Sequence, residues 1–288
     1  MRKSLLNGHW RNNKKSIKSI RTLEEKIRRK LCRNAGLFLS FIGSCRPGTF
    51  KIKMIALVPT CNRPELFARL VSRLEGFQVI GFVNNSTPEN EKQYLELNLP
   101  EETTLVFTGI KGEPKACHVM MFKIMLQFVQ DECLVIEDDV NPCRDFYKEL
   151  TDRVRTLKSV DKGSRNKFGM TNEEFTLSPI YLPGRNSDFY TGGKSEPVTI
   201  GDYEFIDQAW IDGNFYMTAG ILSAMKQWLS GKIKSYPASS GIGRRNSFEI
   251  YRRKWKMYTV VPTLVEHLDQ DSVMFGDRRK QIPLIASF

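Results

Sequence analysis

The chain has 288 residues, 41% hydrophobic and 26% charged, ordinary globular values that exclude global disorder and allow one large α/β domain or two small ones. Its formal charge of +12 is uneven: residues 1–50 hold 13 Lys and Arg against 2 Glu, so nearly all the excess belongs to an N-terminal arm. Such an arm attracts a polyanion, either nucleic acid or a membrane surface.

In chain order, residues 14–33 read as a basic amphipathic helix, with Ile17, Ile20, Leu23, Ile27 and Leu31 recurring at spacings of three and four. The apolar stretch at residues 35–43 falls well short of the ~20 residues a spanning helix needs, and reads as buried or interfacial. Pro47-Gly48 marks a boundary. From Lys53 onward the pattern alternates. MIALVP is a buried strand, and Pro64 opens a periodic helix toward Gly76. QVIGFV is a second strand, residues 88–98 a polar helix, and TTLVF a third strand. Glu113 to Gln130 is a helix, and CLVIEDD is a fourth strand that runs into acids. This order predicts an α/β fold with a doubly wound, mostly parallel sheet. Residues 158–208 read as loops and short strands. A helix near Met225, another from Phe248 to Trp255, and a strand from Tyr258 to Val261 follow. The chain thus divides into the arm at 1–50, the regularly alternating half at 51–157, and a more irregular half with a tail at 158–288. Cys32, Cys45, Cys61, Cys117, Cys133 and Cys143 form no CxxC pair, and read as reduced thiols of a cytoplasmic protein.

Ligands of doubly wound sheets bind beyond the carboxyl ends of the strands. The strand ends here carry Pro59-Thr60-Cys61-Asn62-Arg63, Asn84-Asn85-Ser86 and Glu137-Asp138-Asp139, and are expected to meet at one crevice. Three consecutive acids after a buried strand repel one another unless a cation compensates them. Hard divalent ions such as Mn²⁺ or Mg²⁺ suit carboxylates and bridge diphosphate oxygens. Asn62 and Pro64 also read as a helix cap and first turn. Lys115 and His118 open the third helix, whose N-terminus attracts phosphate. His267 is one of three histidines.

The segment LVIEDDVNP, followed by Asp145-Phe146-Tyr147 at a helix start, resembles the DxD motif of GT-A glycosyltransferases, in the form seen in the N-acetylglucosaminyltransferase I family. Residues 55–74 resemble the opening strand and helix of that fold, and PTLVEHLDQDS its late histidine segment. The resemblance spans roughly residues 53–275 and implies a metal-dependent transferase using a nucleotide-sugar donor. It implies Asp139 and His267 as metal ligands, with Asp138 and Glu137 beside the donor. Pro59, Thr60, Asn62, Arg63, Asn84, Lys115 and His118 would complete the donor site. Trp210 and the segment to Gly220 resemble the acceptor side, with Arg244 and Arg245 nearby. The carboxylate expected as base in inverting relatives is absent from its usual place. Glu249 or Asp212 would take that role, unless the enzyme retains configuration. For the acceptor, the basic arm, the late cluster Arg244 to Lys256 and Arg278-Arg279-Lys280 favour DNA carrying a hydroxymethylated base. The size and charge are similar to those of phage DNA glycosyltransferases. The alternative is a lipid-linked or surface glycan, reached by docking of the arm on an anionic membrane.

Overall fold

A computed structural model describes residues 53–161, 174–180, 196–208, 210, 211, 213–231, 233 and 240–268. All belong to the second of two compact units, which begins at Lys53. The basic helix expected at 14–33, the apolar stretch 35–43, Cys32, Cys45, Asp212 and the Arg278–Lys280 cluster lie outside the described residues.

Strands β1 (Ile55–Thr60), β2 (Gln78–Val83), β3 (Thr103–Phe107) and β4 (Cys133–Val135) alternate with helices α1 (Pro64–Ser72), α2 (Pro88–Leu95) and α3 (Pro114–Met125). Each helix begins with proline in its first turn, where the missing N–H has no helical partner to lose. Thr87 and Glu113 cap α2 and α3 through their side chains, whereas α1 starts at Arg63 with no side-chain cap. Asn62 is therefore not the cap its position suggested. It sits in the left-handed region at φ 53°, which asparagine tolerates, and its side chain bridges to Asn85 and Asn90 instead.

Beyond β4 come β5 (Val140–Pro142), α4 (Phe146–Asp161), β6 (Phe175–Ser178), β7 (Val198–Ile200), β8 (Tyr203–Asp207) and β9 (Phe215–Met217). Then follow α5 (Ala219–Leu229), α6 (Ile242–Arg252), β10 (Lys256–Val261) and β11 (Val265–His267). The helix expected from Phe248 begins six residues earlier, because the apolar positions Ile242 and Ile250 set its buried face. Nine strands form one sheet in the order β3-β2-β1-β4-β9-β6-β10-β8-β7. Only β9 and β8 oppose the common direction, so the sheet is mostly parallel, as the alternation predicts.

Successive β1 residues point to opposite faces, and the core divides accordingly. Ala56 and Val58 pack with Phe67 and Leu70 of α1 and Leu150 and Val154 of α4. Leu57 packs with Met121 of α3, Leu222 and Met225 of α5 and Ile250 of α6. Helices therefore cover both faces. The strand order reverses between β1 and β4, and this switch point is where the loops after those strands diverge to leave a crevice.

A second, two-stranded sheet pairs β5 with β11 antiparallel, with His267 opposite Val140 and Val265 opposite Pro142. It carries the end of the described chain back to the acidic loop.

Candidate active site

The loop after β4 is stitched to three other segments. Its central acid, Asp138, is fully buried. Thr60 Oγ1, at the end of β1, donates to Asp138 Oδ2 at 2.6 Å, and the Arg63 guanidinium pairs with Oδ1. Because the Thr60 proton is committed to Asp138, the 2.6 Å contact between Thr60 Oγ1 and the Tyr94 hydroxyl has Tyr94 as donor. The same hydroxyl accepts the Arg63 N–H at 3.0 Å. Burial pushes the Asp138 carboxyl up to about 7, against the opposing pull of Arg63 and the Thr60 hydrogen bond. Burial likewise raises Tyr94 to about 12. With both oxygens engaged in the interior, Asp138 is an organiser of the loop rather than a group open to a donor.

Asp139 and Glu137 point the other way. Asp139 Oδ2 lies 3.3 Å from the second Arg63 nitrogen, but Oδ1 is buried and accepts no hydrogen bond. His267 Nε2 lies 3.6 Å from that oxygen. The other imidazole nitrogen, Nδ1, is 3.0 Å from the Leu268 carbonyl, which can only accept. Nδ1 is thus the nitrogen that donates to the carbonyl, and Nε2 is the one that faces Asp139. An imidazole nitrogen and a carboxylate oxygen face each other, an arrangement found in metal sites whose histidine is oriented by a backbone carbonyl. The Leu268 N–H also bonds the Asp139 carbonyl at 2.8 Å, fixing the histidine segment to the acidic loop.

Glu137 completes the group. The ligand atoms of Glu137, Asp139 and His267 lie within 4.8 Å of one another, a span that a divalent ion with bonds of about 2.0–2.6 Å bridges. Glu137 is held by Asn214, whose Oδ1 accepts the Glu137 N–H at 2.8 Å. A methyl group on Gly213 would come within 2.2 Å of the Glu137 carboxylate, so glycine there leaves the space the carboxylate occupies. Two carboxylates and an imidazole suit Mn²⁺ or Mg²⁺, and the bare Asp139 oxygen is the vacancy in hydrogen bonding such an ion would fill.

Other expected site residues fall around this centre in different ways. Pro59 and Thr60 are buried at the end of β1, and Asn62 is exposed. Asn84 is buried, accepting from Thr108 Oγ1 at 3.2 Å. Lys115 lies in the first turn of α3, but the N-terminus of that helix is already met by its own Glu113, which accepts the Ala116 N–H at 2.8 Å. His118 stacks parallel to Phe122, with ring centroids 6.3 Å apart. Burial lowers its pKa to about 4, so it is a neutral packing residue without charge to offer a phosphate. Trp210 is half-buried next to Ile211, and Arg244 and Arg245 are exposed on α6.

Glu249 does not have the surroundings of a base. It is buried, and Arg245, Arg252 and Arg253 reach its carboxylate at 3.0, 2.9 and 2.5 Å. Burial alone would raise its pKa, but the hydrogen bonds from Arg253 and Arg252 outweigh it and hold the carboxyl below its usual range. Arg253 in turn lies over the Trp228 and Trp255 rings, at 4.7 and 5.6 Å. Glu249 is the hub of a structural cage.

Tyr94 was not legible as a site residue, and Gly213 and Asn214 were read only as part of the acceptor-side segment from Trp210, not as supports of Glu137. Tyr94 is the one aromatic on an otherwise polar helix, which was the available signal. Gly213 and Asn214 stand out only once the Glu137 contact is seen.

No protein family and no curated protein matches the chain. Solved structures with similarity include a mycobacterial protein, at 12% identity over 78% of this chain and 74% of that one, TM-score 0.45. The mannosyltransferase PcManGT from Pyrobaculum calidifontis, in complex with GDP-Man and Mn²⁺, is similar at 13% identity over 75% of this chain and 58% of that one, TM-score 0.40. A 4-diphosphocytidyl-2C-methyl-D-erythritol synthase is similar at 11% identity over 76% and 94%, TM-score 0.37.

Proposed function

We propose that this protein is a metal-dependent glycosyltransferase of the GT-A type, acting on a nucleotide-sugar donor. The observation that carries the reading is the Glu137–Asp139–His267 group, with its bare Asp139 oxygen, at the switch point of a doubly wound sheet. A divalent ion held there would neutralise a leaving nucleoside diphosphate. Arg63 is set beside it with a guanidinium already shared between Asp138 and Asp139, suited to receive phosphate charge as well. Asp138, itself held by Thr60, fixes that guanidinium, and Tyr94 fixes the Arg63 backbone N–H. The loops after β1 and β2 offer Asn62 and Asn85 to the donor's nucleoside.

Deprotonation of an acceptor hydroxyl falls to Asp212, the chain neighbour of Gly213, since Glu249 is committed to three arginines. For the acceptor we favour a hydroxymethylated base in DNA, a reading supported by the arginine-rich acceptor-side helix α6 and the basic N-terminal arm. The test is nucleotide release from a panel of nucleotide sugars with Mn²⁺. We expect one donor to be turned over, and Asp139→Ala to abolish release while its circular dichroism matches the parent. Full turnover by Asp139→Ala in excess chelator would sink the reading. NMR of the product's anomeric configuration, compared with the effect of Asp212→Asn, decides whether a base is needed.

A further inference from the structure

Helix α6 presents an unusual outer face. Its buried side is Ile242, Asn246, Ser247, Glu249 and Ile250. The remaining arc, read at 100° per residue, runs Tyr251, Arg244, Phe248, Arg252, Arg245, and every member is an arginine or an aromatic. Phe248 is 57% exposed and Tyr251 70%, large rings that no core cluster of the described residues includes. Residues 242–254 hold five cations and one acid, a net charge of +4, and the one acid is the buried Glu249. The helix adjoins the proposed acceptor side through its buried face. Ser247 Oγ accepts the Ile211 N–H at 2.9 Å, and the segment leads in a few residues to Asn214, which holds Glu137.

The spacing of residues on the helix surface decides the partner. A helix lying in a membrane gathers its apolar groups into one long band with cations at the flanks. On α6 the exposed apolar groups are two neighbouring rings, Phe248 and Tyr251 at a spacing of three, and Arg244, Arg245 and Arg252 stand three or four residues from Phe248. Two rings set among guanidiniums are too short for such a band and match a strand that offers bases to stack and phosphates to pair.

We infer that the outer face of α6 is a docking surface for a single strand of DNA, with bases stacked on Phe248 and Tyr251 and phosphates met by Arg244 and Arg252. The choice of DNA rests on the proposed acceptor. The surface itself does not require that transfer occurs.

The test uses the full chain without donor or metal. Fluorescence anisotropy compares a labelled dT 20-mer with an abasic oligonucleotide of equal length and charge. A basic arm binds both alike by charge, whereas stacking distinguishes them. We expect a preference of roughly tenfold or more for the dT strand, lost in the Phe248→Ala/Tyr251→Ala double variant. Both rings are exposed, so the variant keeps its fold. Arg244→Ala should lower the salt-dependence slope by about one. Absence of the preference in the parent, or its persistence in the double variant, overturns the inference. So does binding to phosphatidylserine vesicles that depends on the two rings while oligonucleotide binding does not. Nucleotide release reports separately on the transferase reading, so either can fail alone.

Discussion

At the scale of single residues, the acidic triplet separates into two sets of surroundings. Asp138 turns inward to Thr60 and Arg63, while Glu137 and Asp139 turn toward His267. A strand followed by three acids says nothing about which way each points, because the direction depends on partners that lie 70 or more residues away in the chain. The division has consequences that can be measured. Saturating Mn²⁺ should stabilise the parent, by about 2.7 kcal/mol at one hundred times Kd, and should leave Asp139→Ala unchanged in a thermal melt. Gly213→Ala should keep the fold, because the group it displaces is the end of a flexible side chain, but push the Glu137 carboxylate away. We expect about a 10- to 100-fold loss of Mn²⁺ affinity in isothermal titration, the range seen when groups supporting a metal ligand are changed. Unaltered affinity in that variant would remove Glu137 from the ligand set.

At the scale of elements, α6 and its arginine cage stand between the core and the exposed arginine–aromatic face. Glu249 is the counter-charge for three guanidiniums, two of them substantially exposed. Glu249→Gln should therefore cost about 2 kcal/mol in urea denaturation, below the 3–5 kcal/mol of a fully buried broken pair. The pH dependence follows in sign. The folded carboxyl titrates below its ordinary value of 4.5, so the folded state binds fewer protons than the unfolded. Its stabilisation is complete above that value and is lost as pH falls through the lower folded pKa. Glu249→Gln should flatten the acid limb of a stability–pH curve below about pH 4.5. An unchanged limb would mean that the cage contributes nothing. The β5–β11 ribbon has a different element-scale role. Three-residue strands have too little pattern to be read from sequence, yet this pair is what returns His267 to Asp139.

Across the whole molecule, acid stability is also set by the half-buried imidazole of His118 on α3. His118 protonates only near pH 4 when folded, against 6.5 unfolded, so the unfolded chain binds more protons throughout that window. Stability should fall as pH drops from about 6.5 toward 4. His118→Asn should reduce that slope whatever it does to the absolute value, as read from denaturation midpoints at several pH values. A slope identical to the parent's would place the imidazole in water.

The first four strands and the helices between them were legible because continuous apolar runs bounded by proline and glycine signal buried parallel strands, and proline repeatedly marked the helix starts. The position of the site followed from that alternation, since strands of one direction put their carboxyl-end loops together. Antiparallel β9, wedged between β4 and β6, was not legible, nor was the pairing of β5 with β11. Short strands owe their place to neighbours rather than to their own residues. The surroundings of Glu137, Asp138, His118 and Glu249 were likewise set only by the tertiary structure. An ionisable side chain carries the same formula wherever it stands, but burial and the charge of its partners determine whether it is left able to meet a metal, is tied into a loop, packs as a ring or is enclosed by arginines.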